Sequence, residues 1–203
     1  MSFALGGTHR TGKSTLAQIV ADRLDLPFLR TDVAGVWARL GLDSTARYSF
    51  EDRMKIQYEI LDHIREVYSR DRVFVTDRTP LCLMMYTLGD IAQSSGWDMS
   101  VLEDYQNACY ELTNRHLSHI FVLQPGIQVE AAQNKGNTDP AYTEKLNVLF
   151  KGVAVDHRNG VALYQMNREV TDLEERAGYI CSIIQQAQAH FSQLKERDTL
   201  RLH

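Results

Sequence analysis

Lys13, Ser14 and the glycines Gly7 and Gly12 are the residues of this chain whose types and spacing bear most directly on chemistry. They belong to Gly7-Thr8-His9-Arg10-Thr11-Gly12-Lys13-Ser14, which satisfies G-x-x-x-x-G-K-[ST] at every defined position. Glycine at the two ends of such a loop admits backbone angles and a close approach that a Cβ would block. The loop's backbone N–H groups and the N-terminus of the next helix can then surround a polyphosphate. Lys13 can reach the β- and γ-phosphates, and Ser14 can offer its hydroxyl to Mg2+. Arg10 is placed to contact phosphate, whereas His9 fills a variable position. The expected binding stretch therefore runs from Gly7 through Ser14 to Thr15.

Two acidic positions follow. Val73-Phe74-Val75-Thr76 is an apolar strand ending in Asp77-Arg78. Beside a phosphate loop, Asp77 reads as the acidic partner of a Mg2+ site, and Arg78 offers fixed donors to a phosphate or carboxylate. The competing reading makes Asp77 a helix cap and leaves Arg78 solvated. Asp32 comes just past a second strand, where it can bond an acceptor hydroxyl or take its proton. It suits equally well as the N-cap of a helix starting at Val33. The two acids can also divide the roles of metal ligand and base, and the sequence does not assign them. Lys13, Asp32, Asp77 and Arg78 are thus the candidate catalytic residues, with Ser14 and Asp77 as candidate metal ligands.

Other residues carry weaker signals. Trp37, Tyr48, Phe50, Tyr58 and Tyr86 lie in segments that can line an acceptor pocket, although aromatics at helical spacing usually belong to a core. Lys135, Lys145, Lys151 and Arg158 can supply charge near a transferring phosphate. His116-x-x-His119 lacks a third ligand at zinc spacing. Cys82, Cys109 and Cys181 are widely spaced and read as reduced structural thiols.

The elements that must position these groups alternate. Strands are expected at 3–5, 26–30, 73–76, 120–123 and 160–166. Helices are expected at 13–24, 33–40, 50–68, 81–92, 99–117, 141–156 and 173–194, with a charged, fraying tail beyond. Ser49 to Asp52 and Thr171 to Glu174 match the capping box. Residues 128–140 are polar and contain Asn134-Lys135-Gly136-Asn137, the profile of a mobile loop. Strand–helix alternation implies an α/β domain of three layers with a parallel sheet. Ligands of such sheets sit beyond the carboxyl ends of the strands, where Gly7, Asp32, Asp77 and Gln124 all fall.

At 203 residues the chain suits one domain spanning 1–203. A net charge of −4 argues against affinity built on broad phosphate neutralisation. The charge is uneven, with 12 Lys+Arg against 11 Asp+Glu up to Arg78 and 10 against 15 beyond. No apolar run reaches the ~18–20 residues of a membrane span. With no signal peptide, the expectation is a cytoplasmic protein.

With both motifs in place, the chain resembles the P-loop kinases of the nucleoside and nucleotide kinase group. Within it, the branch that includes the kinase domain acting on nicotinamide riboside, with many phage members, is the most similar. The resemblance rests on residues 7–17, Thr31-Asp32, Thr76-Asp77-Arg78-Thr79-Pro80 and Thr171-Asp172-Leu173-Glu174-Glu175-Arg176. It implies a five-stranded sheet of order 2-3-1-4-5, ATP as donor, Mg2+, and a lid at about 125–140. Relatives often carry a second acid shortly after Asp-Arg-[Ser/Thr]-Pro, where this chain has Cys82. The branch also resembles phage kinases that phosphorylate 5-hydroxymethyluracil within DNA, which need a pocket for an extruded base and a groove for the strand. Arg23, Arg30, Arg39, Arg47 and Arg53 can line such a groove. Free nucleosides or nucleotides and DNA-borne bases both stay open as acceptors. A nucleotide switch or regulatory ATPase needs a Gln or Glu to orient water, and none stands beside Asp77.

Overall fold

The computed structural model describes residues 1–91, 96–126 and 139–201, without the side chains of 195–201. Five short strands form one sheet: β1 (Phe3–Gly6), β2 (Phe28–Leu29), β3 (Val75–Thr76), β4 (His119–Val122) and β5 (Ala162–Gln165). Their order is β2-β3-β1-β4-β5 and every pairing is parallel, with Ala4 beside both Thr76 and Ile120. The expected order and class are what the chain adopts. The expected strands at 26–30 and 73–76 shorten to two residues each, although Val75 N still donates to Pro27 O at 2.9 Å.

Alternation along the strands divides the core in two. Ala4, Ile120 and Val122 face one apolar cluster, while Phe3, Leu5, Phe121 and Leu123 face the other. The second cluster is filled by α1 (Lys13–Leu24) and α7 (Leu173–Arg201), through Leu16, Val20, Ile180 and Ile184. The first cluster takes α2 (Val33–Leu40), α3 (Phe50–Tyr68), α4 (Pro80–Ile91), α5 (Met99–His116) and α6 (Pro140–Ala154).

Local chemistry sets where helices start. At α3 the Ser49 hydroxyl accepts from Asp52 N at 3.1 Å, and donates to the Asp52 carboxylate at 2.7 Å. Asp98 caps α5, and Asp139 caps α6 ahead of Pro140. The C-terminal capping box shifts by one residue. Asp172, not Thr171, accepts from Glu175 N at 2.9 Å, because α7 opens at Leu173. That helix runs on to Arg201, beyond the expected end near 194. Most of the expected lid lies outside the described residues, Lys135 included, and Pro140 already belongs to α6. Among the described residues no helix is long and apolar enough to cross a membrane.

Candidate active site

The loop between β1 and α1 is held by contacts that few side chains would permit. Gly7 has φ +133°, and a Cβ there would lie 2.3 Å from the Leu123 carbonyl oxygen past β4. Gly12 turns into α1 at φ +79°, and Arg10 also takes the left-handed region at φ +58°. Thr11 Oγ1 donates to Thr8 O at 3.0 Å and pins the loop across its own span. Beneath it, buried Cys82 brings its Sγ within 3.9 Å of Gly7 O.

Lys13 is buried against this loop. Its Nζ donates to Thr8 O and to Thr11 Oγ1, the latter at 3.3 Å. Burial, the largest cause, lowers the amine to about 8. Ser14, one residue on, donates its hydroxyl to Asp77 Oδ2 at 2.6 Å. Asp77 is buried at the end of β3, and its Oδ1 accepts from Thr31 N at 3.2 Å and Thr31 Oγ1 at 3.1 Å. The start of α4 is served instead by Thr79, whose Oγ1 accepts from Cys82 N at 3.2 Å. Asp77 is therefore committed to the loop and not to a helix cap. Ser14 and Asp77 together present hard oxygen donors, a set that suits Mg2+ when phosphates complete the coordination.

Past the His9 end of the loop opens a cavity of about 580 Å3 between α2, α3, α4 and Tyr142 of α6. Arg53 and Asp90 form an ion pair in its wall, with side chains 9% and 29% exposed. The Arg53 guanidinium lies 5.4 Å from the Trp37 ring and 6.0 Å from that of Tyr48. Burial lowers the Arg53 pKa, and the facing tyrosines oppose that shift. Gln57, also lining the cavity, accepts from the Tyr105 hydroxyl at 3.3 Å. With its oxygen so engaged, the Gln57 amide keeps N–H donors for an occupant.

His9 links the two halves of the site. Its ring stacks between Tyr86 and Tyr142, at centroid distances of 6.4 and 6.2 Å. Tyr86 OH and Thr143 Oγ1 each stand 3.4 Å from one of its ring nitrogens. Tyr142 OH in turn donates to Asp90 Oδ1 at 3.3 Å. Arg78 lines the cavity too, its guanidinium 5.7 Å from the Tyr86 ring.

The structure thus brings Gly7 through Thr15, Asp77 and Arg78 into one region. Asp32 stands apart. It is exposed, starts α2 at φ +39° without capping it through its side chain, and lies outside the cavity wall that begins at Val33. Its carboxylate lies over Gly35, where a Cβ would come within 2.3 Å of Asp32 Oδ2. Of the aromatics, Trp37, Tyr48 and Tyr86 line the cavity, whereas Phe50 is core and Tyr58 packs on Tyr105. The expected arginine groove loses two members: Arg53 is buried on Asp90, and Arg23 pairs with Glu174 of α7. Lys145 donates to Gly89 O, and Arg158 is held by Asp156, so neither is spare lid charge. Gln124 donates to Met166 O at 2.9 Å, which ties β4 to β5. His116 and His119 contact rings, and no metal cluster occurs among the described residues.

Sequence reasoning missed Gln57, Asp90 and Tyr142. Asp90 carried a signal, being the sole charge in Pro80–Ile91. Arg53 and Gln57 share one face of α3 at i, i+4 spacing with apolar neighbours on either side. Tyr142 carried none.

No family model matches the chain, and no curated protein matches it. Solved structures do. Deoxyadenosine kinase from M. mycoides with products dCMP and dCDP is 17% identical, with a TM-score of 0.60 over 92% of this chain and 100% of that one. The same enzyme with bound dCTP is 14% identical, with a TM-score of 0.62 over 92% and 100%. The YorR protein from Bacillus subtilis, in complex with phosphorylated GDP, is 15% identical, with a TM-score of 0.58 over 94% and 99%. At these identities the likeness is one of fold, the three-layer α/β P-loop fold that these structures share.

Proposed function

We propose that this protein transfers the γ-phosphoryl group of ATP to a hydroxyl of a nucleotide-type acceptor held in the cavity between α2, α3 and α4. The observation that carries the reading is the 2.6 Å contact between Ser14 and Asp77 at the mouth of the phosphate loop, beside an aromatic-walled cavity. Similar structures that hold nucleotides are consistent with it.

Each residue then has a defined task. Backbone N–H groups from Gly7 to Thr15 hold the polyphosphate, and Lys13 carries charge to the β- and γ-phosphates. Mg2+, held by Ser14 with Asp77 behind it, would neutralise phosphate charge when bound. The acceptor oxygen attacks the γ-phosphorus, the bond from that phosphorus to the bridging oxygen breaks, and ADP departs. Arg78, on the cavity wall, stabilises charge on the transferring group. The acceptor's proton passes to solvent water at the open side of the cavity, since Asp32 lies outside its wall. A loose transition state makes that transfer the least demanding step. Trp37 and Tyr48 offer faces on which a base can stack, and Arg53, Gln57 and Asp90 offer donors and an acceptor to its edge.

A base within DNA, 5-hydroxymethyluracil, is the second reading of the acceptor. Exposed Arg30, Arg39 and Arg47 on the α2 side favour it. ATP turnover measured against nucleosides, nucleotides and modified DNAs, at low and moderate salt, tests both. Turnover on a free acceptor that changes little with salt supports the first reading. Activity on DNA that collapses with salt supports the second. ATP hydrolysis indifferent to every acceptor overturns the kinase reading in favour of an ATPase.

A further inference from the structure

Arg176 stands near the start of α7 and has no part in the chemistry above, yet it is only 2% exposed. Its Nη1 donates to Thr11 O, inside the phosphate loop, at 2.9 Å. Its Nε donates to Val170 O, in the segment between β5 and α7, at 2.7 Å. Among the described residues, Nη2 is buried without an acceptor. None of the ion pairs found among those residues includes it. Two neutral carbonyls do not offset the desolvation of a guanidinium, so this side chain is costly to keep where it is.

Its surroundings say what it holds. Gln124, just past β4, donates to Met166 O, and a Cβ on Gly126 would lie 2.1 Å from the Arg168 carbonyl oxygen. The segments at 124–126 and 167–170 are therefore tied into one body beyond the ends of β4 and β5. Arg176 fastens that body to the phosphate loop. The cavity is walled by α2, α3 and α4 on the β2–β3 side of β1, whereas 124–126 and 167–170 follow β4 and β5 on its other side. A nucleoside triphosphate with its transferable end at the cavity extends its nucleoside end towards 124–126 and 167–170.

We propose that Arg176 is a positioning residue for the donor nucleotide: by clamping Thr11 to Val170 it sets how the phosphate loop stands relative to the segments flanking the nucleoside end. Its uncompensated charge also sits beside a loop built for anions. The inference rests on the phosphotransferase reading and deepens its donor half.

The test titrates ADP and inorganic pyrophosphate separately into wild type, Arg176→Met and Arg176→Lys, with thermal unfolding of each. Met removes both carbonyl contacts, whereas Lys keeps the charge and can reach one carbonyl at a time. The ratio of ADP to pyrophosphate affinity is expected to fall about tenfold in Arg176→Met and about threefold in Arg176→Lys, less than the full loss of one or two hydrogen bonds to a charged group because the effect reaches the ligand only through the loop. If Arg176→Met does not fold, the Lys variant alone decides. A lowered melting temperature with the affinity ratio within about twofold of wild type would make Arg176 a purely structural residue and overturn the proposal. Wild type that binds neither ligand overturns the phosphotransferase reading, and this proposal with it.

Discussion

The proposed donor and acceptor halves of the site are built on opposite plans. Around the phosphate loop, backbone groups and contiguous residues do the holding: Gly7 to Thr15 in one stretch, with Asp77 brought in by β3. Around the cavity, side chains from α2, α3, α4 and α6, far apart in sequence, converge. A backbone site tolerates little variation in its glycines, as the 2.3 Å approach of a Gly7 Cβ to Leu123 O makes plain. A side-chain site can be re-specified one residue at a time. This difference is what makes one half a recognisable motif and the other a set of long-range coincidences.

Damage to the donor half should abolish chemistry without unfolding the protein. Lys13→Ala is expected to lower turnover about a thousandfold, the upper range for loss of one preorganised contact to developing charge. Circular dichroism and thermal unfolding should show the fold intact. Near wild-type turnover in that folded variant would break the division between the halves. Asp77→Asn should follow with about a hundredfold loss and a raised Mg2+ requirement, read from turnover against Mg2+ concentration.

Damage to the acceptor half should act first on stability. Asp90→Leu leaves the Arg53 guanidinium, 9% exposed, without its partner. Such breakage costs about 3–5 kcal/mol when both ions are fully buried, and about 2 kcal/mol is expected here because Asp90 is partly solvated. Chemical denaturation measures it, and ADP affinity in the folded fraction should not change. Adding Arg53→Met should restore most of the loss. A double variant as unstable as the single one would mean that Arg53 and Asp90 act separately.

The gentlest probe is pH. In the folded protein Lys13 loses its proton near pH 8, well below an ordinary lysine, because burial disfavours the ammonium. Polyphosphate needs that proton, so ADP affinity should be full below pH 8 and weaken as pH rises through it, by up to about tenfold per unit. Folding carries the opposite slope. Between about 8 and the unfolded value the unfolded chain binds more protons, so this group's contribution favours the folded state as pH rises. Calorimetric titration of ADP from pH 7 to about 9.5 reads the first effect. A profile that is flat in wild type would show that the amine is not the group that meets phosphate.

The sheet and its helices were legible because periodicity and caps are local. Lys13–Leu24 and Val33–Leu40 fall where their patterns place them, and the Ser49 cap behaves as its residues dictate. Strand order came from resemblance, not from pattern, since nothing local says which strands adjoin. Arg53 shows why the acceptor half resisted reading. By composition it belonged with the exposed arginines of the first half. Only contact with Asp90, 37 positions away in sequence, takes it out of any groove and puts it into the cavity wall. Asp32 misleads in the other direction. Its place after β2 suits a base, yet its carboxylate lies over Gly35 and it does not line the cavity.

The two apolar clusters on either face of the sheet bear on how such a protein can change over generations. Helices α1 and α7, which support the phosphate loop, draw their packing from one face. The helices that shape the cavity draw theirs from the other. Substitutions in α2 and α3 are thus absorbed in the layer opposite α1 and α7, whereas α4 also meets the loop through Cys82 and Tyr86; effects at well-separated sites add nearly independently. On the phosphotransferase reading, a lineage can drift towards new acceptors by small inherited steps while its grip on the phosphoryl donor is left undisturbed.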